Sequence, residues 1–166
     1  MSTGASRDGR PIAVFDIDGV LADVRHRLHH LDARPKNWDL FFEAAVDDDP
    51  LAEGIALAVD MAAAHDIVYL TGRPERTRAD TQRWLTRQAA PAGRLLMRRD
   101  GDRRPARVVK LALARQLADK GRLSIVVDDD PEVVDALRAA GLPVRHADWM
   151  TRSPVLREAQ ERDGRT

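Results

Sequence analysis

The sequence predicts a three-layer α/β domain in which helices cover both faces of a central parallel sheet. Five short apolar runs alternate with helical segments of about ten to fifteen residues, which is the pattern of βαβ units. Three of the runs end in clusters of polar residues, and sites in open α/β sheets form outside the carboxyl ends of the strands. The chain has 166 residues, of which 43% are hydrophobic and 33% charged, a composition typical of one globular domain.

The first predicted strand, 11–15, is apolar and is followed by Asp16, as expected of a buried parallel strand. A helix is predicted to begin at Asp49-Pro50, with proline in its first turn, and to end before His65-Asp66. The segment Thr71-Gly72-Arg73-Pro74 is predicted to be a turn. The remaining predicted strands are 67–70, 94–97, 123–127 and 143–145, and the remaining helices are 75–88, 108–119 and 131–140.

The domain is predicted to cover residues 11–150, with a small helical insert at about 21–49. Residues 1–10 are expected to form a flexible leader, and they lack the apolar core of a signal peptide. Residues 151–166 are expected to form a polar tail. Because the stretch 72–109 is filled by one helix, one strand and a loop, we expect at most a small cap over the site.

The charge balance predicts no general attraction to nucleic acid or to membranes, because the formal net charge is zero. The chain has no cysteine, which excludes disulfides and thiolate metal sites. No apolar stretch is long enough to cross a bilayer, so we expect a cytoplasmic protein without membrane contact. Only Lys36, Lys110 and Lys120 are lysines among 27 basic residues, which makes a lysine near a candidate site informative.

Two carboxylates follow the first predicted strand. Asp16 is anchored by the apolar run before it and is a candidate nucleophile that would accept a phosphoryl group. Asp18, two residues later, is a candidate general acid toward the leaving oxygen and then base toward water. Gly19 would let the chain turn sharply. An ordinary strand-to-loop turn explains an isolated D-x-D-G equally well.

The other polar clusters supply groups that suit phosphate. Thr71 offers a hydroxyl and Gly72 an unobstructed N–H, although a helix N-cap would explain Thr71 alone. Lys110 would stabilise negative charge on phosphoryl oxygens, although a solvated helix lysine is the ordinary alternative.

Three consecutive acids, Asp128, Asp129 and Asp130, follow a strand that is predicted to be buried. Asp130 is explained as the N-cap of the helix that opens with Pro131. Buried carboxylates are costly without a cation, and oxygen ligands without cysteine favour Mg²⁺. We expect the ion to be held by Asp16, by the backbone carbonyl of Asp18 and by Asp128 or Asp129.

In order and in placement, these clusters resemble the four motifs of the haloacid dehalogenase superfamily, over about residues 11–147. Asp16-Ile17-Asp18-Gly19-Val20 is similar to the nucleophile motif, and Thr71, Lys110 and Asp128-Asp129 are similar to the second, third and fourth motifs. The resemblance implies a phosphatase that works through an aspartyl-phosphate intermediate with Mg²⁺.

A narrower resemblance is to the phosphatase domain of phage-type polynucleotide kinase-phosphatases. Its motifs are similar to Thr71-Gly72-Arg73-Pro74-Glu75, Thr81, Trp84-Leu85, Met97-Arg98, Gly101-Asp102-Arg103-Arg104, Val108-Val109-Lys110, Asp128-Asp129, Val133-Val134 and Gly141-Leu142. The resemblance implies removal of 3′-phosphates from nucleic acid ends, with Gly72, Arg73, Arg98, Arg103 and Arg104 binding phosphate. The chain departs from the family at Ala106, where an acid is usual, and at Asp130, where an arginine is usual.

Two alternatives stay open at this point. Asp16-Ile17-Asp18-Gly19-Val20-Leu21-Ala22-Asp23 is similar to the opening of the deoxyribonucleotidases, which implies a mononucleotide substrate. A non-catalytic phosphate-binding relative would keep the same scaffold. No kinase phosphate-binding loop is present in the sequence, so a kinase or ligase partner would be a separate chain.

Overall fold

The computed structural model describes residues 9–166, so residues 1–8 of the predicted leader lie outside the described part. In chain order the strands are β1 (Ile12–Phe15), β2 (Ala22–Asp23), β3 (Asp49–Pro50), β4 (Asp66–Pro74), β5 (Gly93–Arg98), β6 (Leu123–Asp128) and β7 (Val144–His146). The helices are α1 (Trp38–Glu43), α2 (Ala52–Ala62), α3 (Arg78–Arg87), α4 (Ala106–Asp119), α5 (Pro131–Ala139) and α6 (Pro154–Arg157). Short 3₁₀ helices cover Arg25–Leu31, Ala44–Asp47 and Glu75–Thr77, and a π-helical turn covers Glu158–Arg162.

The central sheet has five parallel strands in the order β5-β4-β1-β6-β7, which confirms the predicted α/β class. Successive residues of β1 point to opposite faces, as the period of a strand requires. Ala13 and Phe15 pack in one buried cluster, and Ile12 and Val14 pack in the other. Because both faces are covered, β1 lies at the centre of the core, and its carboxyl end is flanked by β4 and β6.

Two local predictions were wrong at the ends of elements. Asp49–Pro50 does not begin a helix but pairs with Ala22–Asp23 as a two-residue antiparallel ladder. Proline suits an exposed edge position of a strand as well as a first helical turn, so the dipeptide is ambiguous. The predicted turn at Thr71–Pro74 is instead the extended end of β4, which pairs with β5 with an irregular register between Thr71 and Pro74.

The insert between β1 and α2 is small and helical. Leu31, Phe41 and Phe42 form its buried cluster, and the partly buried Trp38 packs against them. The aromatic rings of Trp38, Phe41 and Phe42 contact one another at centroid distances of 5.3 to 6.2 Å. The aromatic residues of α1 are therefore mainly core residues of the insert.

Residues 151–166 fold onto the insert rather than extending into solvent. Ser153 caps α6 by accepting a hydrogen bond from the N–H of Val155. Leu156 packs with Val24 and Leu51, and Ala159 packs in the cluster of the insert. The sequence did not predict this packing, because the apolar residues of the segment are few and do not form a long periodic run.

Within residues 9–166, none of the helices has the length and hydropathy needed to span a bilayer.

We predict that Gly54→Ala in α2 destabilises the protein, although alanine is the better helix former by about 1 kcal/mol. A Cβ at this position would lie 1.8 Å from the carbonyl oxygen of Val20, so the helix must move away from the insert. We expect a loss of about 1–3 kcal/mol in the free energy of unfolding, measured by urea denaturation. The exposed neighbour Glu53→Ala is the control, and a more stable Gly54→Ala variant would contradict the close packing.

Candidate active site

A buried lysine connects the carboxyl ends of β1 and β6. The Nζ of Lys110, in α4, donates hydrogen bonds to Asp16 Oδ2 at 2.7 Å and to Asp128 Oδ2 at 2.7 Å. The three residues are at most 3% exposed. Their mutual attraction raises the pKa of Lys110 far above its usual value despite burial, so the lysine stays charged. The structure thus brings together groups that lie 94 and 18 positions apart in the sequence.

Asp129 completes a group of three acids that could hold a cation. Oxygen atoms of Asp16, Asp128 and Asp129 all lie within 4.8 Å of one another. One oxygen, Asp129 Oδ1, has no hydrogen-bond partner within the described residues. Gly19 has a φ of +80°, and a Cβ there would lie 2.2 Å from Asp129 Oδ2, so this turn requires glycine. A divalent cation would suit this donor set, because carboxylate oxygens are hard ligands.

Within the described residues, the three acids of this cluster face two cations, Lys110 at 2.7 Å and Arg152 at 3.9 Å. Burial and the nearby charge of Asp128, against the opposing charge of Lys110, raise the pKa of Asp16 to about 7. Burial and the charges of Asp16 and Asp128 raise the pKa of Asp129 well above its usual range. A cation among these oxygens would remove the repulsion and keep Asp16 ionised and able to attack.

Asp18 lies in a different environment, although it is two residues from Asp16. Its Oδ1 accepts hydrogen bonds from Arg73 Nη2 at 2.6 Å and from Arg27 Nη2 at 3.0 Å, and its Oδ2 accepts one from Thr166 Oγ1 at 3.1 Å. Burial alone would raise the pKa of Asp18, but the charges of Arg73 and Arg27 hold it well below its usual range. In this conformation Asp18 is therefore an ionised base rather than a proton donor.

Asp48 and Arg27 complete this arginine-carboxylate network, and the sequence analysis missed both. Arg27 Nε donates to Asp48 Oδ1 at 2.8 Å, and Arg73 Nη2 donates to Asp48 Oδ2 at 2.9 Å. Trp84 Nε1 donates to the carbonyl oxygen of Asp48 at 2.8 Å, which holds its backbone in place. Asp48 thus positions two arginines that both reach Asp18. No local motif marks Asp48 within the run Asp47-Asp48-Asp49.

Thr71 and Gly72 lie at the end of β4, beside β1, but they do not form a helix N-cap. Thr71 is buried, and its Oγ1 accepts a hydrogen bond from the N–H of Arg73 at 3.2 Å. Gly72 faces Thr166, because a Cβ at Gly72 would lie 2.0 Å from the backbone carbonyl carbon of Thr166. Both residues are therefore within the polar cluster, and Gly72 is covered.

The predicted phosphate-binding arginines do not form one group. Arg73 is 1% exposed and is used by Asp18 and Asp48. Arg98 is also buried and donates to the carbonyl oxygens of Gly72 at 3.2 Å and Arg104 at 2.8 Å, so it connects the end of β4 to the loop before α4 and is not presented to substrate. Arg103 and Arg104 are exposed on the loop before α4, where Arg104 forms a bidentate pair with Asp102.

Asp130 and His26 lie beside the site, and their contacts show what each of them does there. Asp130 is the N-cap of α5, as predicted, because its side chain accepts from the N–H of Glu132 at 3.0 Å. His26 Nε2 contacts Asp48 Oδ1 at 2.7 Å, and among residues 9–166 the acids at 16, 128 and 129 are the one group with metal-ligand spacing. The histidines of the insert therefore do not form a metal site there.

A family model described as the polynucleotide kinase PNKP phosphatase domain matches residues 10–148. Among solved structures, a chain of the "Structure of Pnkp1/Rnl/Hen1 complex" is 22% identical, with a TM-score of 0.68 over 84% of this chain and 46% of that one. A chain of the "Structure of the Pnkp1/Rnl/Hen1 RNA repair complex" is 24% identical, with a TM-score of 0.65 over 88% of this chain and 46% of that one. This chain therefore spans less than half of either of those two chains.

A smaller neighbour matches over most of both chains. The haloacid dehalogenase-like hydrolase SP0104 from Streptococcus pneumoniae is 15% identical, with a TM-score of 0.53 over 81% of this chain and 83% of that one. These identities are low, so the solved structures show the fold alone. No curated protein sequence matches the chain.

We predict that Asp48→Asn lowers the free energy of unfolding by about 3–5 kcal/mol, as expected when one partner of a buried ion pair is removed. The reason is that Arg27 and Arg73 would keep their buried charges with only Asp18 to balance them. Urea denaturation measures the loss, and the exposed neighbour Asp47→Asn is the matched control. Equal stability of the two variants would show that Asp48 does not hold the arginines.

Proposed function

Because this chain belongs to the polynucleotide kinase PNKP phosphatase domain family and is a phosphatase of the haloacid dehalogenase type, we propose that it hydrolyses phosphomonoesters by nucleophilic attack of Asp16. The observation that carries the proposal is the position of Lys110 Nζ, 2.7 Å from both Asp16 and Asp128 in a buried cluster. A lysine held there can stabilise the charge that develops on phosphoryl oxygens beside the nucleophile.

The proposed reaction has two displacements at phosphorus. Asp16 attacks the phosphorus atom, the bond to the leaving oxygen breaks, and Asp18, which must first become protonated, gives its proton to that oxygen. Water then attacks the aspartyl-phosphate, gives a proton to Asp18, and releases inorganic phosphate and free Asp16. The backbone N–H of Gly72 and the hydroxyl of Thr71 are proposed to hold the phosphoryl oxygens that face away from Lys110.

The proposed cofactor is Mg²⁺, held by the carboxylates of Asp16 and of Asp128 or Asp129 and by the Asp18 backbone carbonyl. It would supply charge that pairs with phosphoryl oxygens and lowers the repulsion between acids. The unpartnered Asp129 Oδ1 and the raised pKa values of Asp16 and Asp129 support this proposal.

The proposed substrate is a nucleic acid or oligonucleotide that ends in a 3′-phosphate. Besides the family, arginines beside the site support it. Burial and the charges of Arg103 and Arg76 lower the pKa of Arg165, so Arg165 lies near both of these guanidinium groups. Such a group would attract the additional phosphates of a polymer, which a mononucleotide lacks.

The two departures from the family motifs have structural consequences. Ala106 is buried in the first turn of α4, so no acid precedes Lys110 at that position. Asp130 accepts a hydrogen bond from Arg152 Nη2 at 3.0 Å, so a cation from residues 151–166 lies against the acid. These departures bear on substrate choice more than on chemistry, and a deoxyribonucleotidase activity is the alternative that the experiments below separate.

A partner chain is also proposed. The solved chains that this chain resembles occur in a Pnkp1/Rnl/Hen1 complex, described as an RNA repair complex. By analogy alone, this phosphatase would act with a separate kinase or ligase. Co-purification of the protein with a kinase or ligase from its own cells would test the partnership. No step of the proposed reaction depends on such a partner.

We predict that Asp16→Asn lowers kcat on an aryl phosphate by several orders of magnitude, because the covalent route is removed. Folding should survive, since the buried cluster of acids loses one negative charge. Steady-state kinetics with Mg²⁺ measure the loss, and exhaustive chelation of the wild type should have a comparable effect. Turnover like that of the wild type in Asp16→Asn would exclude Asp16 as the nucleophile.

We predict that Arg103→Ala raises KM for a 3′-phosphorylated oligonucleotide and leaves kcat for a 3′-mononucleotide largely unchanged. Salt should raise the wild-type KM for the oligonucleotide more steeply than for the mononucleotide, because counterions compete at the outer phosphates. Arg104→Ala should have a smaller effect, since Asp102 already pairs with that guanidinium.

Arg138→Ala is the control for that series. Arg138 is exposed in the last turn of α5, which runs away from the carboxyl end of β6 and so ends far from the site. If kcat/KM is higher for a deoxyribonucleoside monophosphate than for every phosphorylated oligonucleotide tested, the end-processing function is wrong and the nucleotidase alternative holds.

A further inference from the structure

The site is closed in this conformation. Asp16, Asp18, Thr71, Lys110 and Asp128 are each at most 3% exposed, and a phosphomonoester cannot reach the nucleophile without movement. Thr166 covers two of the groups that the proposed reaction needs. Its hydroxyl donates to Asp18 Oδ2 at 3.1 Å, and its backbone lies directly against Gly72.

Thr166 is held there by contacts on both sides of the entrance. On the side of the insert, Lys36 Nζ donates to Glu158 Oε2 at 2.9 Å and to Asp163 Oδ2. The guanidinium of Arg165 lies 4.8 Å above the ring of Trp38. These contacts attach the segment to the element that forms the small cap.

On the opposite side, the segment lies against the loop before α4. Gly164 has a φ of +58°, and a Cβ there would lie 2.1 Å from the carbonyl oxygen of Arg103 and 2.7 Å from that of Arg104. Arg107 Nη1 donates to Glu161 Oε2 at 2.5 Å. The segment therefore bridges the insert and the loop that carries the exposed arginines, and it closes the gap between them.

We propose that residues 163–166 form an autoinhibitory plug, which occupies the place of the phosphorylated end of the substrate and must leave before Asp16 can react. This inference rests on the proposed function, because it assumes that Asp18 and Gly72 contact substrate. Plug and phosphate would compete for the same groups, so the apparent affinity for substrate is reduced by the fraction of molecules that are closed.

The contacts that hold the plug suit reversible opening. Apart from the buried apolar residues Leu156 and Ala159 behind it, the segment is attached mostly by ion pairs and by close backbone packing. Ion pairs that water can reach are weak and become weaker with salt. A polyanionic substrate end would also attract Arg103, which lies beside the plug, and Arg165, which is part of it, and so help to open the site.

The first test is Gly164→Ala, matched with Gly121→Ala. Both glycines have positive φ, +58° and +70°, so both variants carry similar backbone strain. Only at Gly164 does the added Cβ meet neighbouring backbone, since nothing lies within 4 Å of a Cβ at Gly121. Gly164→Ala should therefore release the plug, and Gly121→Ala should leave it in place.

The readouts are the dissociation constant of inorganic phosphate with Mg²⁺, KM for an aryl phosphate, and amide hydrogen exchange of residues 158–166. If the closed state is tenfold favoured, release of the plug lowers both constants by up to about tenfold. Exchange of the Arg165 N–H, which donates to the carbonyl oxygen of Ala159 at 3.0 Å, should become faster. Phosphate added to the wild type should increase the same exchange.

A second pair of variants keeps the test decisive if Gly164→Ala does not fold. Lys36→Gln removes the contacts to Glu158 and Asp163 and should lower the phosphate dissociation constant in the same direction. Lys120→Gln, at an exposed lysine next to α4, is its control. Faster exchange without tighter phosphate binding would overturn the plug, as would unchanged exchange in both test variants.

The failure of the proposed function has a different signature. If no variant hydrolyses any phosphomonoester, the phosphatase proposal is wrong. The phosphate dissociation constants of Gly164→Ala and Lys36→Gln still decide whether residues 163–166 compete with phosphate at the site.

Discussion

The burial of several carboxylates at one edge of a parallel sheet is the constraint on which the rest of this structure depends. Asp16, Asp18, Asp48, Asp128 and Asp129 are all at most 6% exposed, and the cations buried among them are Arg27, Arg73 and Lys110. Each cation is shared: Lys110 serves two strands, and each arginine serves two acids. Asp129 also has a longer ion pair with Arg152, at 3.9 Å, but its Oδ1 has no hydrogen-bond partner within the described residues, at the edge where the proposed divalent cation would bind. An excess of buried acids over buried cations is costly, because unpaired buried charge is strongly unfavourable.

The same constraint separates the two aspartates of the first motif. One residue lies between them, yet Asp16 faces Lys110 and the other acids, whereas Asp18 faces two guanidinium groups. As a result burial raises the pKa of Asp16 to about 7, and the arginines lower that of Asp18. Both shifts oppose the proposed first displacement, which needs an ionised Asp16 and a protonated Asp18, so a cation beside Asp16 and a change around Asp18 would be needed before it. The division depends on Asp48, which has no chemical role of its own and acts by holding the arginines.

The fold and the candidate site were predictable to different extents because their signals differ in range. Each strand is a local apolar run, and Asp16, Asp18, Asp128 and Asp129 directly follow such runs, so the parallel topology alone places them together. Lys110 was found through its position in the order of motifs. No local sequence pattern marks Asp48, Arg27 or Thr166. The first two lie in or next to the insert and the third lies in residues 151–166. Packing of Leu156, of Ala159 and of the aromatic residues of α1 determines the paths of these two segments. Arg98 was predicted to bind phosphate, but its guanidinium group donates to two backbone carbonyl oxygens, a role that the sequence does not distinguish from phosphate binding.

Closure of the site and the charge state of Asp18 depend on the same contacts. The hydroxyl of Thr166 donates to Asp18 Oδ2 and, like the arginines, stabilises the ionised carboxylate. The closed conformation is unsuited to the first displacement for two reasons. Thr166 blocks access to the site, and an ionised Asp18 cannot protonate a leaving oxygen. When Thr166 leaves, Asp18 loses one donor and faces a dianionic phosphate instead, and both changes raise its pKa. Opening of the site by substrate would therefore shift Asp18 toward the protonated form that the first step needs, although Arg27 and Arg73 still favour the carboxylate. Transfer of that proton to the leaving group would leave the ionised base that the second step uses.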